Sequence, residues 1–399
     1  MSNGIGGSTA AAQLAAIKPW ATPVPRIGRE EREARIERAR ARVHKSGTHA
    51  LLIGAGASLD YFTGVPWGAS ERLVAMLLPR RGLPIIICPA FERGSLDAAL
   101  DIAAEVREWE EHESPSELLA KVLADTMSTV IAVDPQMPFF MVERLRAATP
   151  GLRTIDASAL VDSCRRIKSP AELALMRQAK QMTLEVQRRA AAILRPGIAG
   201  SEVRNFINDA HRAIGAAGSS FCIVQFGRST AFPHGLPGET ILAEGDMVLI
   251  DTGCTVGGYN SDITRSYVFG TPTDEQRRIW DIEAAAQQAA FDAVRPGVAC
   301  ESIDWATRHV LQAHGLGPDY RLPGLPHRTG HGIGLSIHEA PYLVRGDMTL
   351  LEPGMCFSNE PMIVIPDRFG VRLEDHFFVT HTGAEWFTSR SVAVDKPFG

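Results

Sequence analysis

The chain has 399 residues and carries 41 Lys plus Arg against 46 Asp plus Glu, a net charge of −5. At 45% hydrophobic and 22% charged residues it can bury a substantial core, and its length suits about two domains. This balance gives no global attraction to nucleic acid or anionic membrane; no apolar run nears the ~20 residues of a spanning helix, and six scattered cysteines without a CxxC pair predict reduced thiols in a cytoplasmic chain.

Residues 1–27, rich in Gly, Ala, Ser and Pro, read as a loose or docking arm. The charged run 28–46 spaces Glu31 and Arg35 one helical turn apart, which predicts an exposed helix. Short apolar runs at Ala50–Ile53, Leu83–Cys88 and Thr129–Val133 predict strands. Ser114-Pro115-Ser116-Glu117 predicts the start of a helix through Leu118–Met127, because Ser caps the first turn and Pro is tolerated there. These elements predict an amino-terminal α/β domain over residues 1–165.

The same start signal at Ser169-Pro170-Ala171-Glu172 opens a predicted helix to about Leu194, stopped by Arg195-Pro196-Gly197. A third start at Thr271-Pro272-Thr273-Asp274 leads to a second stop, Arg295-Pro296-Gly297, 100 residues after the first. Each stop precedes a shorter helix, Glu202–Ile214 or Ile303–His314, and then strand-like segments. The pattern predicts a duplicated helix–helix–strands unit, so residues 166–399 form one domain of two related halves.

Chemistry concentrates in that domain. Met247–Thr252 is an apolar strand ending in Asp251 and Thr252; the chain turns at Gly257-Gly258 and returns through Asp262, which predicts a hairpin with the two carboxylates roughly opposite. The second half holds His331 among glycines, then His338, Glu360 and Glu374, the last on the same strand face as Arg372. Facing carboxylates in an apolar setting repel unless a cation or proton lies between them, so the set predicts a metal site.

These residues resemble the pita-bread metallopeptidases, in the branch of Xaa-Pro dipeptidases (prolidases) and aminopeptidase P. The resemblance runs from about Ile167 to Thr380 and rests on Ile167-Lys168-Ser169-Pro170-Ala171-Glu172, Phe232-Pro233-His234-Gly235, Asp251, Asp262, Thr329-Gly330-His331-Gly332, Ile337-His338-Glu339, Glu360-Pro361 and Leu373-Glu374-Asp375. It implies an α/β fold with a small creatinase-like amino-terminal domain and a pita-bread catalytic domain. It further implies two divalent metals: Asp251 chelating one, His331 and Glu360 on the other, Asp262 and Glu374 bridging. His234 and His338 match the family's non-ligand active-site histidines, and a homodimer is the family expectation. Four carboxylates and one imidazole, largely oxygen donors, suit manganese, with cobalt, iron or zinc as alternatives.

An Xaa-Pro bond leaves as a secondary amine, and a dipeptide adds a free carboxylate. Arg372 is the first candidate to bind that carboxylate, or else a partner of the carboxylate cluster, and Arg345 is the second, with Glu360 as the proton relay. The reading is a metal-dependent, proline-specific dipeptidase acting on small peptides. Three alternatives stay open: aminopeptidase P acting on longer Xaa-Pro peptides, a lyase or C–N hydrolase on a non-peptide substrate, and a metal-free binding module.

Overall fold

The computed structural model describes residues 4–398, in two compact units. One is Ile27–Arg165; the other runs from Arg166 onward and includes the described residues up to Arg26. The arm thus belongs with the second unit, not with the first as the division at 165 had it. Its backbone explains why. Gly6 N–H donates to the Ala191 carbonyl and Trp20 N–H to the Ile214 carbonyl, each at 2.9 Å, and Ile17 enters that unit's core.

The Ile27–Arg165 unit is built on a six-stranded sheet. Its order is Glu105–Trp109, Ile85–Pro89, Ala75–Pro79, Ala50–Gly54, Val130–Val133 and Arg153–Asp156. Ala50–Gly54 lies in the interior of the sheet and is buried at every residue, which is why it reads as an unbroken apolar run. Helix Pro115–Asp125 starts as expected, with Ser114 Oγ accepting from the Glu117 N–H. Helix Arg29–Ser46 exposes most of its charge, but Arg35 is buried, stacked 4.1 Å over the Tyr61 ring.

In the second unit, helices α1 (Pro170–Ala192) and α2 (Gly200–Ile214) precede strands β1 (Phe221–Phe226), β2 (Met247–Gly253) and β3 (Ile263–Val268). Helices α3 (Asp274–Ala293) and α4 (Cys300–Ala313) precede β4 (Gly330–Gly332), β5 (Glu339–Leu343), β6 (Cys356–Asn359), β7 (Met362–Ile365), β8 (Phe369–Arg372), β9 (Asp375–Val379) and β10 (Ala384–Trp386). Both long helices open on a capping box, Ser169 with Glu172 and Thr273 with Gln276. Leu175, Met176, Ala179, Met182, Val186 and Ala190 form the buried stripe of α1.

The two halves repeat in detail. At the first stop, Gly197 (φ +79°) donates to the Leu242 carbonyl at 2.8 Å; at the second, Gly297 (φ +83°) donates to the Leu351 carbonyl at 2.8 Å. Glycine adopts this left-handed conformation without steric penalty, which suits Pro-Gly to the turn that follows each helix end at Ala192 and Ala293. Strands then form a β3-β2-β1 sheet in the first half and a β5-β4-β6-β9-β10 sheet in the second, with β7–β8 as a separate hairpin.

Candidate metal centre

In the first half, β2 and β3 pair with Asp251 opposite Thr264 and Thr252 opposite Ile263. Asp262 therefore lies two residues beyond Thr264, diagonal to Asp251 and on the same face, not directly opposite as the hairpin pattern suggested. The offset arises where the chain narrows at Gly253: a Cβ there would fall 1.9 Å from the Ser261 carbonyl oxygen. In the second half, β6 and β9 pair through Asn359 and Asp375, so Glu360 and Glu374 leave the end of the ladder facing each other. His331 sits on β4, whose flanking glycine Gly330 has no room for a side chain, since a Cβ would meet the Ser358 carbonyl oxygen at 2.1 Å. The halves are joined at this level by the Glu374 N–H donating to the Thr264 carbonyl at 3.1 Å.

Asp251, Asp262, His331 and Glu374 are all buried and Glu360 nearly so. His331 Nε2 lies 3.0 Å from Glu360 and 3.7 Å from Asp262. Its Nδ1 lies 3.0 Å from the Gly332 carbonyl, an acceptor that would take the ring N–H when Nε2 ligates an ion. Asp251 Oδ1, Asp262 Oδ1 and Glu374 Oε1 are buried without a hydrogen-bond partner. Burial, and then the neighbouring Glu374, Asp251 and Glu360 carboxylates, push Asp262 well above the ordinary range. Burial and the Glu360 and Asp251 charges do the same to Glu374. Orphaned, mutually repelling carboxylate oxygens around an imidazole nitrogen fit a divalent cation. Among the described residues, donor atoms lie within 4.8 Å of one another in three sets: Asp262–His331–His338, Asp262–Glu374–His376 and His331–Glu360–Glu374.

Asp251 enters none of these sets, because its Oδ2 is turned to Arg372 Nη2 at 2.5 Å. Arg372 also donates from Nε to Thr264 Oγ1 (3.1 Å), and that hydroxyl donates to Glu374 Oε2 (2.7 Å). Arg372 therefore orients two carboxylates of the cluster. Of the two readings that the sequence leaves for Arg372, this geometry matches the partner of the carboxylate cluster and not the substrate's anion binder.

Above the cluster lies a cleft of about 470 Å³ lined by Pro233, His234, Pro326, His327, Arg328, His338, Glu360 and Arg372. Both expected histidines reach it. His338 is pushed down to about 4 by burial and then by His331 and Arg328, so it is neutral near pH 7. Arg345 does not reach it: that guanidinium pairs with Asp319 at 2.6 Å and lies over the Trp305 and Tyr320 rings.

Four residues went unread in the sequence. His327 carries a buried Nε2 without a partner in the cleft wall, and its signal, a histidine four before His331, was available. His376 is wholly buried, has both ring nitrogens unpartnered, and lies 3.9 Å from Glu374. Alternation along β9 puts it on the Glu374 face, where it offers a further nitrogen. Gln187 on α1 donates to the Ile250 and Ile263 carbonyls, both at 2.9 Å; Gln287 on α3 donates to Asn359 (3.3 Å) and Leu373 (3.1 Å). Each glutamine ties together the backbone beside two of the acidic residues. The Lys168 of the Ile167-Lys168-Ser169 motif forms a buried ion pair with Glu339 at 3.0 Å, fixing the residue next to His338.

Residues 174–381 match metallopeptidase family M24, and residues 35–167 match the creatinase/prolidase N-terminal domain. The chain is 37% identical over 353 residues to the probable dipeptidase PepE of Mycobacterium tuberculosis, covering 88% of this chain and 92% of that protein. It is 33% identical over 350 residues to the Xaa-Pro dipeptidase of Lactobacillus helveticus, covering 86% and 93%. The crystal structure of dipeptidase PepE from Mycobacterium ulcerans superposes with a TM-score of 0.83 at 35% identity, covering 92% and 98%. Among the described residues no helix is long and apolar enough to cross a membrane. With its acidic cluster and imidazole converging at the cleft, the chain belongs to metallopeptidase family M24 and is a metal-dependent peptidase.

Proposed function

We propose that the protein is an Xaa-Pro dipeptidase that holds two divalent ions, manganese by preference, on Asp251, Asp262, His331, Glu360 and Glu374. The observation that carries this reading is the cleft itself: two proline rings, Pro233 and Pro326, form apolar wall beside His234, His338 and Glu360. Such a wall suits the ring of a substrate proline, whose amide has no N–H to satisfy. The relatives named as dipeptidases support a small peptide substrate.

When bound, the divalent ions supply Lewis-acid polarisation of the scissile carbonyl and of the attacking water. The remaining work falls to side chains. Burial alone would raise Glu360, but His331, His327 and Arg372 more than offset it and hold its carboxyl far below the usual range. Glu360 thus stands as a carboxylate able to take the water proton and pass it to the departing proline nitrogen. His338 and His234, both lining the cleft, offer N–H donors to the developing oxyanion. Arg372 orients Asp251, and its charge opposes the upward push that burial gives that carboxyl.

Manganese is favoured because four of the five ligating side chains give oxygen. The test is hydrolysis of Ala-Pro, Ala-Pro-Ala and Ala-Ala by metal-stripped enzyme reloaded with manganese. Release of proline from Ala-Pro alone supports the reading. Equal kcat/KM on Ala-Pro and Ala-Pro-Ala would instead assign an aminopeptidase P, and hydrolysis of Ala-Ala at the same rate would remove proline specificity.

A further inference from the structure

Arg328 is a cation in the cleft without an acid to answer it. The two arginines singled out in the sequence are engaged: Arg372 on Asp251 and Thr264, Arg345 on Asp319. Arg328 lines the cleft beside His338 and Glu360, and among the described residues no carboxylate forms an ion pair with it. Its one defined neighbour is the Tyr342 ring, 4.4 Å below the guanidinium.

The backbone on each side of it is held. Arg308 Nη2 donates to the His327 carbonyl at 2.8 Å, and His327 Nδ1 lies 2.7 Å from the Arg328 carbonyl. Thr329 donates from N–H and Oγ1 to Asp304 Oδ1 at 3.2 and 2.7 Å, and Asp304 is itself paired with Arg308 at 2.7 Å. A planar fork on an aromatic platform, with its loop pinned at both flanks, loses little entropy on binding a planar anion. Arg372 lacks that freedom, since Nη2 and Nε already serve Asp251 and Thr264 and Nη1 faces the Pro233 carbonyl at 3.5 Å.

We infer that Arg328, seated on Tyr342, is the subsite for the free carboxylate of the substrate's last residue, and that Arg372 is not. This rests on the dipeptidase reading and deepens it. A dipeptide brings one anion into the cleft, one residue past the scissile bond, and Arg328 is the cleft's unanswered cation. In prolyl amides and in longer peptides that position is neutral, so the guanidinium gains no ion pair from them.

The experiment compares Ala-Pro with Ala-prolinamide on manganese-loaded full-length enzyme, in wild type, Arg328→Ala, Arg328→Gln and Arg328→Lys. A charge-assisted pair of this kind corresponds to roughly a 10- to 100-fold preference for the acid over the amide. The wild type is expected to show that preference, both neutral variants to lose it through KM for Ala-Pro, and Arg328→Lys to recover part of it. Metal content and thermal midpoint should stay at wild-type values, and Arg345→Ala, outside the cleft, should keep the full preference. Wild-type preference persisting in Arg328→Ala or Arg328→Gln would overturn the assignment while leaving the dipeptidase reading intact. A wild type that hydrolyses neither compound would overturn both.

Discussion

The two halves of the catalytic unit use one plan and hold it together by different means. In the first, both aspartates sit on one hairpin, and neutral hydrogen bonds brace it: Gln187 to two strand carbonyls, and Thr183 Oγ1 to Ser261 Oγ at 2.7 Å. In the second, His331, Glu360 and Glu374 come from separate strands, and a charge braces them. Arg265 from β3 of the first half pairs with Asp375 at 2.7 Å, both side chains wholly inaccessible, and donates to the Glu374 carbonyl at 2.9 Å. Where register sets the spacing of two acids, these uncharged contacts tie the strands, beside the Arg372–Asp251 pair and the Lys180 Nζ bond to the Asn260 carbonyl. Where three strands must be gathered, a buried ion pair spans the halves.

Breaking that ion pair should have the largest effect on folding. Arg265→Met leaves Asp375 buried and uncompensated, and loss of one partner of such a pair costs about 3–5 kcal/mol. Urea unfolding should show it as a drop in midpoint, whereas a loss under 1 kcal/mol would mean that the second half is braced elsewhere.

Acid should weaken the first half through one buried histidine. His211 on α2 is wholly buried, 3.2 Å from Thr183 and 2.9 Å from Ser219, and burial pushes it down to about 4; the residue 100 positions on is Leu311. The unfolded chain protonates near 6.5, so the contribution is intact above that pH and is lost as pH falls toward 4. The slope is about 1.4 kcal/mol per pH unit, to a total of roughly 3 kcal/mol. His211→Leu should reduce the fall in stability between pH 6.5 and 4, with the remaining slope left to His327, His338 and His376 of the second half; an unchanged slope would place the acid sensitivity elsewhere.

A smaller loss is expected for Gln187→Leu, which leaves the Ile250 and Ile263 carbonyls unpaired next to Asp251 and Asp262. Orphaned groups of this kind cost about 1–3 kcal/mol. Metal affinity should fall with stability, because the same bonds hold the strands that carry the aspartates. Isothermal titration with manganese reads this directly; full stability loss with unchanged affinity would make Gln187 a fold residue only.

Much of this site was legible because its residues must be particular chemical types. Carboxylates, a histidine among glycines, and the Pro-Gly helix stops cannot be exchanged freely, so their spacing survives as pattern. The elements that went unread lack such a constraint. Strand Glu105–Trp109 carries charges because it is a sheet edge, and Gln187 and Gln287 sit inside helices where glutamine is unremarkable. Arg372 and Arg328 look alike in the chain. Only the fold, by bringing Asp251 to one of them and no acid to the other, separates their roles.

The central claim is that acids from both halves serve one metal centre, and metal-linked stability tests it most directly. Thermal midpoints with chelator and with excess manganese should be measured alongside metal content for wild type, Asp262→Asn and Glu374→Gln. An ion bound only by the folded state stabilises it by about 2.7 kcal/mol at one hundred times its Kd. The account predicts that wild type shows this upward shift and that both variants lose it together with their metal and their hydrolysis of Ala-Pro. A variant from either half that keeps the full shift and full metal content would contradict a shared centre.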